Sequence, residues 1–188
     1  SLLQRIRVST SESMPKAPAR ADPKPELVGE LLSISQLQDK DKKFLALARA
    51  LSLSLIADMC YIVEINEKLD EVCLLAGYDL IRERALPAPR LKASDLPNIL
   101  KAWETLQPYH PDHPPFSTQD ALTLTETFSY HRIGRMLAYP LKTSTRTLKG
   151  GVIFLSPYTD KAFGQPAVLL LDYIGATLAE AVFEPIPE

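Results

Sequence analysis

Of 188 residues only two are cysteine, three histidine and one tryptophan. Cys60 and Cys73 are too few for a disulfide framework, and no Cys-x-x-Cys pair occurs. Both stand in strand-like runs, where a free thiol behaves as a small buried hydrophobe, so a reducing, cytoplasmic setting is expected. Long apolar runs are missing too. The longest, 51–56 and 168–171, fall far short of the roughly 18 residues a membrane span needs, so no membrane insertion is expected. No secretory signal is visible, and the opening Ser1 reads as the start of a fragment. Charge of one sign is also lacking: the net formal charge is −2, which gives no global attraction to nucleic acid or anionic lipid. There is no glycine-rich phosphate loop. What remains is a chain 46% apolar, long enough for one core with an appended arm.

Residues 1–26 carry Pro15, Pro18, Pro23 and Pro25 among Ser, Thr, Ala and Lys. That composition resists helix and sheet and reads as an extended arm or linker, although Leu2, Leu3, Ile6 and Val8 could dock elsewhere. A folded unit is expected over 27–184, with a tail at 185–188. Leu27, Leu31 and Ile34 fit a short amphipathic helix. Asp39 is placed to cap a second helix over 39–57, with Phe44, Ala48, Leu51 and Leu55 on one face. The runs 59–65 and 71–78, separated by a polar stretch, predict a β-hairpin. Pro87 and Pro89 mark a turn or an edge strand. Ser94 or Asp95 is expected to cap a helix with Pro97 in its first turn and Ile99, Leu100 and Trp103 on its apolar side. Residues 109–116 cannot be regular structure with three prolines, and Ser117 or Thr118 can cap a helix to about Phe128. Strands are expected at 135–141 and 148–155, where Gly150 and Gly151 suggest a bulge or a close backbone approach. A last helix over 165–183 would bury Leu170, Tyr173, Ile174, Thr177, Leu178, Ala181 and Val182. Strands in local antiparallel pairs, framed by helices, imply an α+β antiparallel sheet.

The phrases IGRMLAYPL, LKGGVIFLSP and KAFGQPAVLLLDYIGATLAEAVF, with ADMCYIVEI at the front and DLPNILKAWETLQPY in the middle, resemble GAF domains, the ligand-sensing modules of signalling proteins. Leu137-Ala138-Tyr139-Pro140-Leu141, residues 151–155, Phe163 and residues 176–181 occupy the family's apolar strand, glycine-containing strand, lead-in Phe and small-residue helix end. The resemblance covers about residues 39–183 and rests on packing motifs. It implies a GAF-like, PAS-related sheet of six antiparallel strands. The terminal helices would cover one face. The short middle helices would cover the other and leave a pocket there.

The chemistry-bearing residues are few. His110, Asp112 and His113 could be metal ligands but lie in a proline-rich loop with no third histidine or cysteine nearby, so no metal site is expected. His131 has no nameable nucleophile partner. Pairing Cys60 with Cys73 would need a skewed hairpin register. The stretch from Asn66 to Glu71 is faintly similar to the signature of cyclic-nucleotide-binding GAF domains but lacks its Phe and its spacing. No cysteine follows position 73, so the family's covalent bilin attachment in a middle helix has no residue here. Between Thr127 and Thr159 there is no acidic residue, yet Arg132, Arg135, Lys142, Arg146 and Lys149 occur. Arg132 and Arg135 would border the pocket and could meet an anionic ligand. The pocket walls are expected from Trp103, Tyr109, Phe116, Tyr130, His131, Arg132 and Arg135.

The resemblance therefore implies a non-catalytic sensory domain of a bacterial-type signalling protein, such as a two-component system, binding an unidentified small molecule. A kinase or cyclase would be an attached output, and the catalytic members of the family use cysteines this chain lacks. The alternative is a ligand-free scaffold that forms a homodimer through its terminal helices. Pro185 and Pro187 argue against a helix continuing past the domain.

Overall fold

The structure, a computed structural model, describes residues 25–111 and 118–183. The order is α1 Pro25–Ser35, α2 Lys40–Leu55, β1 Met59–Ile65, β2 Glu71–Asp79, β3 Arg84–Leu86, β4 Arg90–Lys92, a 3-10 turn Ala93–Asp95, α3 Pro97–Glu104, α4 Gln119–Phe128, β5 Met136–Lys142, β6 Leu148–Leu155 and α5 Gln165–Phe183. The strands form one six-stranded sheet in the order β3-β2-β1-β6-β5, with β4 also on β2, and every pairing is antiparallel. The α+β architecture read from the sequence is the one found. Pro87 and Pro89 sit between the two short strands that share the β2 edge, where a missing N–H costs the ladder nothing.

Alternation along the strands divides the core in two. Cys60, Ile62, Leu137, Val152 and Phe154 face α1, α2 and α5. Met59, Tyr61, Val63, Ala138, Ile153 and Leu155 face the 3-10 turn, α3 and α4. The terminal helices therefore cover one face and the short helices the other, as expected. On α5 the buried stripe is Val168, Leu171, Ile174, Leu178, Ala181 and Val182, whereas Tyr173 is 61% exposed. Helical period alone places Leu170, Tyr173 and Thr177 inward, which the packing does not follow. They belong to the neighbouring row, about 100° round the helix. By length and composition alone α5 could cross a membrane, with a mean hydropathy of 1.5, contrary to the expectation from uninterrupted runs. Its stripe packed on the sheet is what a core helix shows.

Asp39 caps α2 by accepting from the Lys42 amide, and Thr118 caps α4 by accepting from the Ala121 amide. The α3 cap departs from expectation. Ser94 and Asp95 lie in the 3-10 turn, and the free amides of α3 are met from another helix. The carboxylate of Asp120, fully buried in α4, accepts from the amides of Asn98 at 3.1 Å and Ile99 at 3.0 Å. It also accepts from the Asn98 side chain at 2.8 Å. Both readings of Gly150 and Gly151 hold. Lys149 is the extra residue of a bulge opposite Leu141 and Lys142. A Cβ at Gly151 would stand 2.4 Å from the Tyr139 carbonyl and 2.5 Å from the Trp103 ring.

Candidate functional site

The space between the sheet and the short helices is filled over most of its area. Trp103 is fully buried, donates Nε1–H to the Ala138 carbonyl at 3.1 Å, and packs with Leu96, Ile99, Leu124 and Ile133. Tyr61 on β1 stacks on Phe128 at the end of α4, ring centroids 4.2 Å apart and planes within 11°. An opening remains at the rim of this face, beyond Phe128. It is a cavity of about 630 Å³ lined by Arg82, Arg84, Phe128, Ser129, Tyr130, His131, Arg132, Pro157 and Tyr158, within the range of small-molecule sites.

Three chain segments meet there, each held by local chemistry. After β2, the buried Asp79 accepts from the Arg82 amide at 2.8 Å, closing a turn that carries Arg82 and Arg84 to the rim. After α4, Ser129 adopts the left-handed conformation at φ 57° and ends the helix, and Tyr130 donates its amide to the Thr125 carbonyl. Residues 130–132 leave along the cavity wall. Gly134, at φ +67°, then passes the backbone of Ser156 so closely that a Cβ would lie 2.1 Å from its carbonyl oxygen. After β6, the buried Asp58 accepts from the amides of Tyr158 at 2.9 Å and Thr159 at 2.8 Å, and from the Thr159 hydroxyl. Asp58 thus fixes the third segment from about a hundred residues away.

Tyr158 joins the segments. Its hydroxyl donates to Asp79 at 2.7 Å, its ring meets Tyr130 edge-on at 6.1 Å, and the Arg82 guanidinium lies 5.5 Å over its face. Burial and the bond to Asp79 push its hydroxyl above the ordinary tyrosine range. Burial does the same to Tyr61, whose hydroxyl has no hydrogen-bond partner among the described residues.

Of the residues read from the sequence as pocket walls, Tyr130, His131 and Arg132 line this cavity. Trp103 is a core residue. Tyr109 exchanges backbone hydrogen bonds with Ala138 on the β5 edge, at 2.8 and 2.9 Å, away from the opening. Arg135 lies 3.9 Å from Asp160, which also stands 3.8 Å from Arg132. Phe116 is outside the described residues, as are Asp112 and His113. Among the described residues no three His, Cys, Asp or Glu side chains are placed to hold a metal ion. The sequence reading missed Arg82, Arg84, Phe128, Ser129, Pro157 and Tyr158. A basic pair in the turn after β2 was the available signal, but nothing local says that this turn meets residues 128–132.

The remaining candidates have structural settings. Cys73 pairs with Glu64 and Cys60 with Tyr78, so the two free thiols are far out of register. Burial pushes the Cys60 thiol up, which makes it less reactive. Asn66 accepts from the amides of Asp70 and Glu71 and shapes the hairpin turn.

No protein-family model and no curated protein matches this sequence. Solved structures do match in shape. The GAF domain of a phosphoenolpyruvate-protein phosphotransferase from Coxiella burnetii is similar at TM-score 0.62 and 15% identity, covering 87% of this chain and 95% of that one. The corresponding domain from Acinetobacter matches at TM-score 0.59 and 14% identity, covering 84% and 91%. A phycoerythrobilin-bound GAF domain from a cyanobacterial phytochrome matches at TM-score 0.62 and 11% identity, covering 85% and 94%. With six antiparallel strands, terminal helices on one face and short helices on the other, this chain is folded as a GAF domain.

Proposed function

We propose that the chain is a non-catalytic regulatory module that binds a small molecule in the rim cavity and passes its occupancy to an output domain or partner. The observation that carries this is the cavity itself: about 630 Å³, walled by the rings of Phe128, Tyr130 and Tyr158 and by a few polar groups on three converging segments. The fold, shared with a domain solved with a bilin bound, is compatible with ligand binding. A ligand would tie the turn after β2 to the segment leaving α4 and so favour one arrangement of the two.

The test is a thermal-shift screen with nucleotides, amino acids and haem, repeated on His131→Trp, which narrows the cavity from an exposed position. A compound that raises the melting temperature of the natural chain but not of His131→Trp supports the proposal. Shifts that survive the substitution, or no shift with any compound, overturn it.

A second reading is favoured by a different observation. Most of the face under α3 and α4 is filled, while Leu32 on α1, Leu53 on α2 and Leu169 and Tyr173 on α5 stand exposed on the terminal helices. These suit a ligand-free scaffold that pairs through its helices. Sedimentation equilibrium separates the readings. A firm dimer that Leu169→Lys or Tyr173→Lys converts to monomer, together with an unresponsive cavity, supports the scaffold; a monomer at high concentration removes it.

A further inference from the structure

We infer that the ligand of the rim cavity is a small organic anion with an aromatic or apolar body, its charged group held by Arg82, Arg84 and Arg132. This deepens the ligand-binding reading and rests on it.

The wall carries three arginines and one histidine and no Asp or Glu. Two carboxylates close to the wall, Asp79 and Asp160, are already engaged. Asp79 is buried and accepts from Tyr158 and from the Arg82 amide. Asp160 forms a long ion pair with Arg132, at 3.8 Å. Among the described residues neither Arg82 nor Arg84 forms an ion pair with a carboxylate. Like charges brought to one concave surface repel, and a bound anion relieves that repulsion through charge-assisted hydrogen bonds. Arg82 and Arg84 are a local pair in the turn after β2, and the fold brings Arg132, from the segment after α4, to the same cavity.

A second observation comes from behind the wall. Tyr61 is 1% exposed, and its hydroxyl has no partner among the described residues. Its ring stacks on Phe128, a wall residue, from the side away from the opening. A buried hydroxyl left unpaired is costly, and a polar atom of a ligand body that displaced Phe128 would satisfy it. The aromatic rings beside it provide the apolar contact for the rest of that body.

Calorimetric titration with phenyl phosphate and with benzoate, on the whole chain, tests this. Either anion is expected to bind, with phosphate preferred if two charges are needed. Arg82→Met, Arg84→Met and Arg132→Met are each expected to weaken binding about tenfold. All three are exposed positions, where substitution rarely unfolds a chain. The double variant Lys142→Ala with Arg146→Ala, on a distant hairpin, is the control and should leave the affinity unchanged. Binding that the control weakens as much as the cavity variants, or that the arginine variants leave intact, overturns the inference. So does no heat from either anion. A neutral compound that binds and is lost on His131→Trp but not on the arginine variants would sink the anion assignment while leaving the cavity's role standing. No binding of any compound, charged or neutral, would remove both.

Discussion

Asp120 shows how one side chain can connect two elements. It is fully buried, yet its carboxylate replaces the missing intrahelical partners at the start of α3, where Leu96 in the N-cap position offers no side-chain bond. Three donors converge on it, two of them backbone amides that would otherwise be orphaned inside the protein. Replacing it with alanine is expected to cost about 3 kcal/mol, since buried amides then lose a charged acceptor. Asp120→Asn keeps one acceptor oxygen and should cost less. Urea denaturation of the two variants checks the order, and equal losses would mean that the site depends on packing and not on the charge. The sequence placed a cap near Ser94 or Asp95 because local spacing suggests one. The actual cap comes from 22 residues further on, a distance that no local pattern encodes.

At the scale of an element, α2 ends with an anomaly. Ile56 occupies its C-cap in the left-handed conformation at φ 51°, which β-branched residues avoid, and its side chain is 63% exposed. The left-handed backbone costs an L residue roughly 1–2 kcal/mol, and a glycine there would give back roughly 0.5–1 of that as lost chain entropy. Ile56→Gly is therefore expected to stabilise the chain by about 0.5–1 kcal/mol, read as a rise in the urea midpoint at unchanged slope. A fall would show that the exposed Ile56 side chain contributes more packing than its exposure implies. The boundaries of the long elements were legible, whereas the short strands β3 and β4 were not. The strands at 59–65 and 148–155 and the helix at 165–183 fall where apolar period and flanking residues put them. What periodicity did not fix was the rotation of α5, because its apolar residues occupy two adjacent rows and only the packing against the sheet chooses between them.

For the whole molecule, three tyrosines make stability depend on alkaline pH. Burial raises the hydroxyls of Tyr61, Tyr139 and Tyr158 above the ordinary 10.0. Hydrogen bonds to carboxylates, Asp172 for Tyr139 at 2.6 Å and Asp79 for Tyr158, add to the effect. Above the ordinary value the unfolded chain has released these protons while the folded chain still holds them. The unfolded state then binds fewer protons, so stability falls as pH rises. The contribution is whole below about pH 10 and is lost on climbing through the raised folded-state values. The urea midpoint should decline above about pH 10, and Tyr139→Phe should make the decline shallower. A midpoint that stays flat over that range would contradict the burial of these hydroxyls.

The amino-acid order by itself determined the α+β class, the hairpins and most helix caps. Each is set by neighbours within a few residues, through period, turn chemistry and side-chain size. The cavity was decided only by the tertiary structure. Arg82, Tyr130 and Tyr158 lie in three separate stretches, and no stretch carries a signal for the other two. They meet because Asp58 and Asp79, buried in the sheet's end, hold the turns on either side of it. Trp103 and Tyr109 looked like pocket walls because aromatic residues in an irregular stretch suit both a pocket and a core. The difference lies in whether a backbone approaches closely enough to fill the space, and at Gly151 it does.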